Sequence, residues 1–174
     1  MKDILCIFGF ILALWLIIYT ILEFRIMQKH KENVENSFSE LDKIFIKRLN
    51  VLYRMMDIIK EYNKIDFEAL SSDLYDYMQS YNNYTTNERI AINEHLALEV
   101  KKVLLVSAAY PELQNHIKYP KYEKQLKRYN KVITKCSIKY NNTLIAYKER
   151  KKIFPSKIIC KLGKYPEYQL FTLN

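Results

Sequence analysis

The chain has 174 residues, 49% hydrophobic and 27% charged, which is enough for one buried core. Its 2 glycines and 4 prolines exclude a glycine-rich phosphate loop, a dinucleotide-binding turn series and any many-turned sandwich or barrel, so helix is what remains. The 28 Lys+Arg against 19 Asp+Glu give a net +9, which makes an acidic partner surface worth considering, and no residue set reads as an active site.

In chain order, the first element is an uncharged run from Ile4 to Leu22, bounded by Asp3 and Glu23. As helix it is roughly 28 Å long, the thickness of a bilayer's hydrocarbon core, and it is expected to be a transmembrane helix. A cleaved secretory signal would have a shorter apolar stretch and a small-x-small site, where Leu22-Glu23-Phe24-Arg25 stands instead. A buried core helix fits poorly, because nothing else in the chain is apolar all round. Lys2 precedes the run, and Arg25, Lys29 and Lys31 follow it. The positive-inside rule then favours a short external N-terminus and a cytoplasmic body. Three cysteines without a pairing pattern fit a reducing compartment, and Cys6 lies within the anchor.

Between Gly9 and Pro111 there is neither Gly nor Pro, so the anchor can continue into a long helix. Val34, Phe38, Leu41, Phe45, Leu49, Leu52, Met56 and Ile59 recur in steps of three and four and mark one helical face, which the stretch from Tyr62 to Asp66 ends. Phe67, Leu70, Leu74, Tyr77 or Met78, and Tyr81 predict a second helix before the polar turn at residues 80–84. Thr85-Thr86-Asn87-Glu88 has the form of a capping box and opens a third, with Ile92, Leu96, Val100, Val103 and Ser107 on its apolar face. Tyr110-Pro111 closes it, since a residue before proline is pushed out of the helical region. A last long helix starts near Lys121 and ends at Phe154-Pro155, with Tyr122, Leu126, Tyr129, Ile133, Cys136, Tyr140, Leu144 and Tyr147 as its stripe. Tyrosine at this spacing is packing with hydroxyls reaching the rim rather than a stacking surface for bases. The fold class is all-α: an N-terminal transmembrane helix followed by an up-and-down antiparallel bundle of three to four helices. The expected division is an anchor at 1–25, a helical bundle at 26–155 and a basic C-terminal tail at 156–174.

Several of these residues stand in an order similar to that of the LemA family. They are Tyr110-Pro-Glu-Leu113, then Tyr140-Asn141 on a long helix, then Phe154-Pro-Ser-x-Ile-Ile159. Upstream, Val34-x-x-x-Phe38-x-x-Leu41-Asp42 followed by Lys47-Arg48-Leu49-Asn50-Val51-Leu52 resembles that family's first soluble helix, and Asn93-x-x-Leu96 its third. The chain departs from the pattern at Leu52-Tyr53-Arg54, where the family has an Ile-Pro-Asn step. It departs again at Tyr129-Asn130 and Cys136-Ser137, where Thr-Glu and Ala-Arg are expected. A diverged member is the description the resemblance supports. It implies a bacterial protein with one N-terminal transmembrane helix, a short external N-terminus, a cytoplasmic helical bundle and no known catalytic activity.

Chemistry is mostly absent. His30, His95 and His116 lie in separate segments without the spacing of a zinc protease, and surface solvation is the expectation for each. A di-metal carboxylate site in a bundle needs Glu-x-x-His pairs, whereas Glu112 and His116 are four apart and flank a loop. Asp73, Asp76 and Glu94 are expected on solvated faces. Cys136 is expected in the core, and Cys160, among Lys157, Lys161 and Lys164, has the more activating surroundings but no histidine nearby. No catalytic residue, metal or cofactor is assigned.

Charge is split along the chain. Residues 118–174 hold 15 Lys+Arg and 3 Asp+Glu, net +12, while residues 23–117 hold 12 and 15, net −3. On the last helix Lys124, Lys127, Lys131, Lys135 and Lys139 form a row beside the apolar stripe, the candidate interaction surface. Anionic lipid, an acidic membrane protein or plain solvation by water all remain open for it. Nucleic acid ranks below these, because arginine makes the better phosphate forks and the basic third has only Arg128 and Arg150. No small-molecule substrate is evident. Two functions follow: a non-catalytic scaffold or adaptor at the membrane, or an accessory to, or itself, a membrane-associated enzyme, with a membrane zinc metalloprotease as the family-level guess at a partner. The enzyme requires polar residues converging inside the bundle and the scaffold an apolar interior with a patch outside, and the sequence favours the scaffold.

Overall fold

The computed structural model describes residues 2–62 and 67–172, and of residues 2–6, 67–73, 106 and 107 the backbone alone. Almost all of them are helical: α1 (Lys2–Glu61), α2 (Phe67–Ser80), α3 (Thr86–Ala109), α4 (Pro111–Gln114), α5 (Tyr119–Lys152) and α6 (Ser156–Leu162), with a 3-10 turn at Tyr81–Asn83. No strand occurs among the described residues. The chain divides into two compact units, Met1–Asn36 with Asn142–Glu167, and Ser37–Asn141 with Tyr168–Asn174.

The second unit is the up-and-down bundle. Pairings across α1 set the helix directions: Phe38 meets Tyr140 and Arg54 lies over the Tyr122 ring, so α5 runs antiparallel to α1. Asp42 meets Arg89 and Arg48 meets Asn93, so α3 runs parallel to it. Tyr53 stacks edge-on against Tyr75 while Asp42 takes the Tyr81 hydroxyl, so α2 is antiparallel. Because α1 has neighbours on several sides, its buried face is wider than one stripe. Phe38, Leu41, Phe45, Leu49, Leu52, Met56 and Ile59 are buried as their spacing predicts, and Val51, Met55 and Ile58 join them. On α3, Ile92, Leu96, Val100 and Val103 are buried. The readings made for residues 63–66 and for the side chains of Cys6, Phe67, Leu70, Asp73 and Ser107 fall outside the described residues.

Local signals act where they were expected. The Thr85 amide donates to Glu88 Oε2 at 2.7 Å, and the Glu88 amide reaches back to Thr85 Oγ1 at 3.4 Å, closing the capping box of α3. Tyr110 is extended, at φ −119° and ψ 91°, between α3 and α4. On α5 the predicted stripe is buried at Leu126, Ile133, Tyr140, Leu144 and Tyr147 and is corrected at three positions. Tyr119, Leu126, Ile133 and Tyr140 are wholly buried at intervals of seven, and Ser137 and Leu144, four residues after Ile133 and Tyr140, are buried too. Tyr122, Tyr129 and Cys136, assigned to the interior by the three-residue step, are half-buried at its edge.

The end of the chain is laced onto this bundle. The Asn141 side chain both donates to Phe171 O and accepts from the Phe171 amide, at 2.8 and 3.0 Å, as a neighbouring strand would. The Tyr140 hydroxyl donates to Gln169 O at 2.8 Å, and Phe171 is buried against Phe45. The Tyr140-Asn141 pair is thus what receives the tail.

In the first unit, residues 7–22 of α1 are all exposed, and their stretch of the helix has a mean hydropathy of 2.3. A Cβ added at Gly9 would meet nothing. By length and composition this helix can cross a membrane. Immediately after the run, Glu23 is 2% exposed and accepts from Arg150 of α5 and from the Ser156 hydroxyl at the start of α6. Met27, Val34, Leu144 and Tyr147 are wholly or nearly wholly buried here, and Tyr147 donates to Pro166 O at 2.8 Å.

Candidate functional site

The bundle interior is not wholly apolar. Arg48 of α1 is 1% exposed, and its Nη2 donates to both the carbonyl and the side-chain oxygen of Asn93, each at 2.8 Å. Asn93, itself wholly buried, passes its amide hydrogens to the Tyr81 hydroxyl at 2.9 Å and to Arg89 O at 2.8 Å. Tyr81 donates to Asp42 Oδ1 at 2.7 Å, and Arg89 closes the chain with a 2.7 Å ion pair to the other Asp42 oxygen. Arg89 also holds the 3-10 turn, through Tyr84 O and Asn82 O. Sequence reasoning missed this network, because its members lie on three elements and look like ordinary surface residues when the helices are read singly. The expectation of an apolar interior is corrected at this level of the bundle.

The network is suited to holding helices rather than to chemistry. Burial lowers the pKa of Arg48 to about 10, which leaves it cationic at neutral pH, and no carboxylate among the described residues pairs with it. Burial, and then the neighbouring Asp42 carboxylate, push the Tyr81 phenol well above its ordinary range, so it stays a proton donor. Asp42 is occupied on both oxygens. Only Arg48 Nε lacks a partner among the network's buried side-chain atoms. What the arrangement leaves without is a free base beside a nucleophile.

The five lysines of the row are all exposed on α5. Lys127 pairs with Glu123 on the preceding turn and Lys139 with Glu40 at 2.6 Å, whereas Lys124, Lys131 and Lys135 meet no carboxylate among the described residues. Burial pulls Glu123 upward, but hydrogen bonds from Lys127 and Gln114 hold it below the usual carboxylate range. The depression beside Lys124, Lys127, Arg128 and Lys131 is lined by one helix only, so it is a gap between long side chains and not a cavity. Ile138, 58% exposed, stands between Lys135 and Lys139 on the same face.

The remaining candidates lose their chemistry to packing. Cys160 is 6% exposed, and burial raises its thiol pKa against the opposing effect of Lys151, so its reading as activated is corrected. The histidines are half-buried rather than solvated. His116 Nδ1 accepts the Lys118 and Tyr119 amides at 3.2 and 3.3 Å and so caps α5, and His95 lies edge-on to Tyr77. Glu94 takes the amide and hydroxyl of Thr172 and holds the tail, while Asp76 is exposed. No group of three or more His, Cys, Asp or Glu that could hold a metal occurs among the described residues.

Fold and site together define an all-α helical bundle with a long apolar N-terminal helix and no assembled catalytic group among the described residues. The sequence model of the LemA family matches residues 37–174, and the chain belongs to the LemA family. No curated protein and no solved structure matches it.

Proposed function

We propose that this LemA-family chain is a non-catalytic adaptor held in the membrane by residues 4–22, with the lysine row of α5 docking an acidic segment of another membrane protein. The observation that carries the reading is three of the five lysines in the row. Among the described residues Lys124, Lys131 and Lys135 meet no carboxylate, and they share one helical face with the exposed Ile138, which offers a partner directional charge and an apolar anchor together. An accessory role to a membrane enzyme would use the same surface, and the identity of the partner separates the two. The positive-inside margin supports a cytoplasmic body.

The test is chemical crosslinking in membranes with the full chain, comparing wild type with Lys124→Glu, Lys131→Glu and Lys135→Glu combined. The captured acidic protein should disappear with the triple reversal and fade as salt shortens the Debye length from about 10 Å at 0.1 M to about 3 Å at 1 M. Capture unchanged by the reversal rejects the row as a docking surface. Topology is read separately: Lys131→Cys should react with a membrane-impermeant maleimide only after cells are opened, and labelling of intact cells reverses the orientation.

A further inference from the structure

The corner between α5 and α6 carries apolar side chains that its own unit leaves uncovered. Ile153 and Ile158 are 51% exposed, Phe154 is 72% exposed and Leu162 is 80% exposed. On α6 the buried side is formed by Ser156 and Cys160. The side turned out has two strips at helical spacing: Ile158 and Leu162 four apart, and beside them Lys157 and Lys161, also four apart and exposed. Such a division into an apolar and a lysine strip is that of a helix lying at a membrane interface.

Its place in the unit points the same way. Glu23 is the first residue after the apolar run, and it accepts hydrogen bonds from Ser156, the first residue of α6, and from Arg150, near the end of α5. The chain therefore turns from α5 into α6 beside the last turn of the apolar run. Any membrane that the run crosses has its boundary at this level.

We propose that the α5–α6 corner is a second membrane contact. Ile153, Phe154, Ile158 and Leu162 enter the headgroup–acyl boundary, and Lys157 and Lys161 meet anionic lipid headgroups. The Glu23–Ser156 and Glu23–Arg150 bonds lock this contact to the end of the span. The proposal rests on the reading of residues 4–22 as the anchor, and its test keeps the two apart.

The full chain is reconstituted in vesicles of phosphatidylcholine and phosphatidylglycerol, with or without brominated acyl chains. Trp15, the single tryptophan, reports on the span in the wild type. Phe154→Trp in a Trp15→Phe background reports on the corner, and Leu162→Trp in the same background serves as a second probe. Both replaced corner side chains are largely exposed, so neither change disturbs the core. The expected result is emission at least halved by brominated lipid at Trp15 and at both corner probes, with the corner probes shielded from aqueous iodide. Quenching at Trp15 with corner probes open to iodide overturns the corner and leaves the anchor standing. Shielding from iodide without bromolipid quenching means that protein covers the corner, and it overturns the lipid contact as well. A Trp15 that brominated lipid does not quench overturns the anchor and the corner together.

Discussion

Replacing Asn93 by Ala should destabilise the bundle far more than its small loss of volume suggests. The side chain accepts from the buried Arg48 guanidinium at 2.8 Å and donates to Tyr81 at 2.9 Å and to Arg89 O at 2.8 Å. A hydrogen bond to a buried charge contributes about 1.5–3 kcal/mol and the bond to Tyr81 about 1 kcal/mol, so Asn93→Ala should cost about 3 kcal/mol. Most of that arises because Arg48, 1% exposed, keeps its charge and loses one of its two acceptors. Arg48→Met removes the charge while keeping an apolar chain of similar reach, and in that background the cost of Asn93→Ala should fall to about 1 kcal/mol. The measurement is urea unfolding of the full chain in mild detergent, followed by far-UV circular dichroism across the four-member cycle. A cost for Asn93→Ala below about 0.5 kcal/mol, or an equal cost in both backgrounds, would refute the account of a charge held by this amide.

Other outcomes follow from the same structure. Ile133, wholly buried on α5, should cost about 2–5 kcal/mol on truncation to Ala, whereas Cys136→Ala at the edge of the stripe should cost much less, and equal costs would restore the three-residue register. For Glu23, burial pushes the pKa up, but the bonds from Ser156 and Arg150 outweigh it and the folded-state value lies below 4.5. Its contribution is therefore complete above the unfolded value and is lost as pH falls through the folded one, so acid unfolding below about pH 4.5 should be less steep in Glu23→Gln than in wild type. Cys160 should resist iodoacetamide in the native protein and react once the chain is unfolded, and prompt native labelling would contradict its burial.

Much of this protein follows from local rules that need no tertiary information. The scarcity of Gly and Pro, the three-four spacing of Phe38 to Ile59, the Thr85–Glu88 box and the Tyr110-Pro111 break each act within a turn or two of helix. They therefore placed the start and end of α3 and the core face of α1. The uncharged run is equally local, since its length alone matches a bilayer. Tertiary structure decided what depends on contacts between distant positions. The buried network joins Asp42 and Arg48 to Tyr81, Arg89 and Asn93, and a charge on a single helix carries no sign of whether a neighbour will cover it. The edge of the α5 stripe was decided the same way: alternating three-four steps allow Cys136 or Ser137 inside, and the fold buries Ser137 and leaves Cys136 half-buried, because which of the two is covered depends on residues distant in sequence. Only the fold, finally, set Ser156 and Arg150 against Glu23, because a buried carboxylate is stable there only with both donors in place.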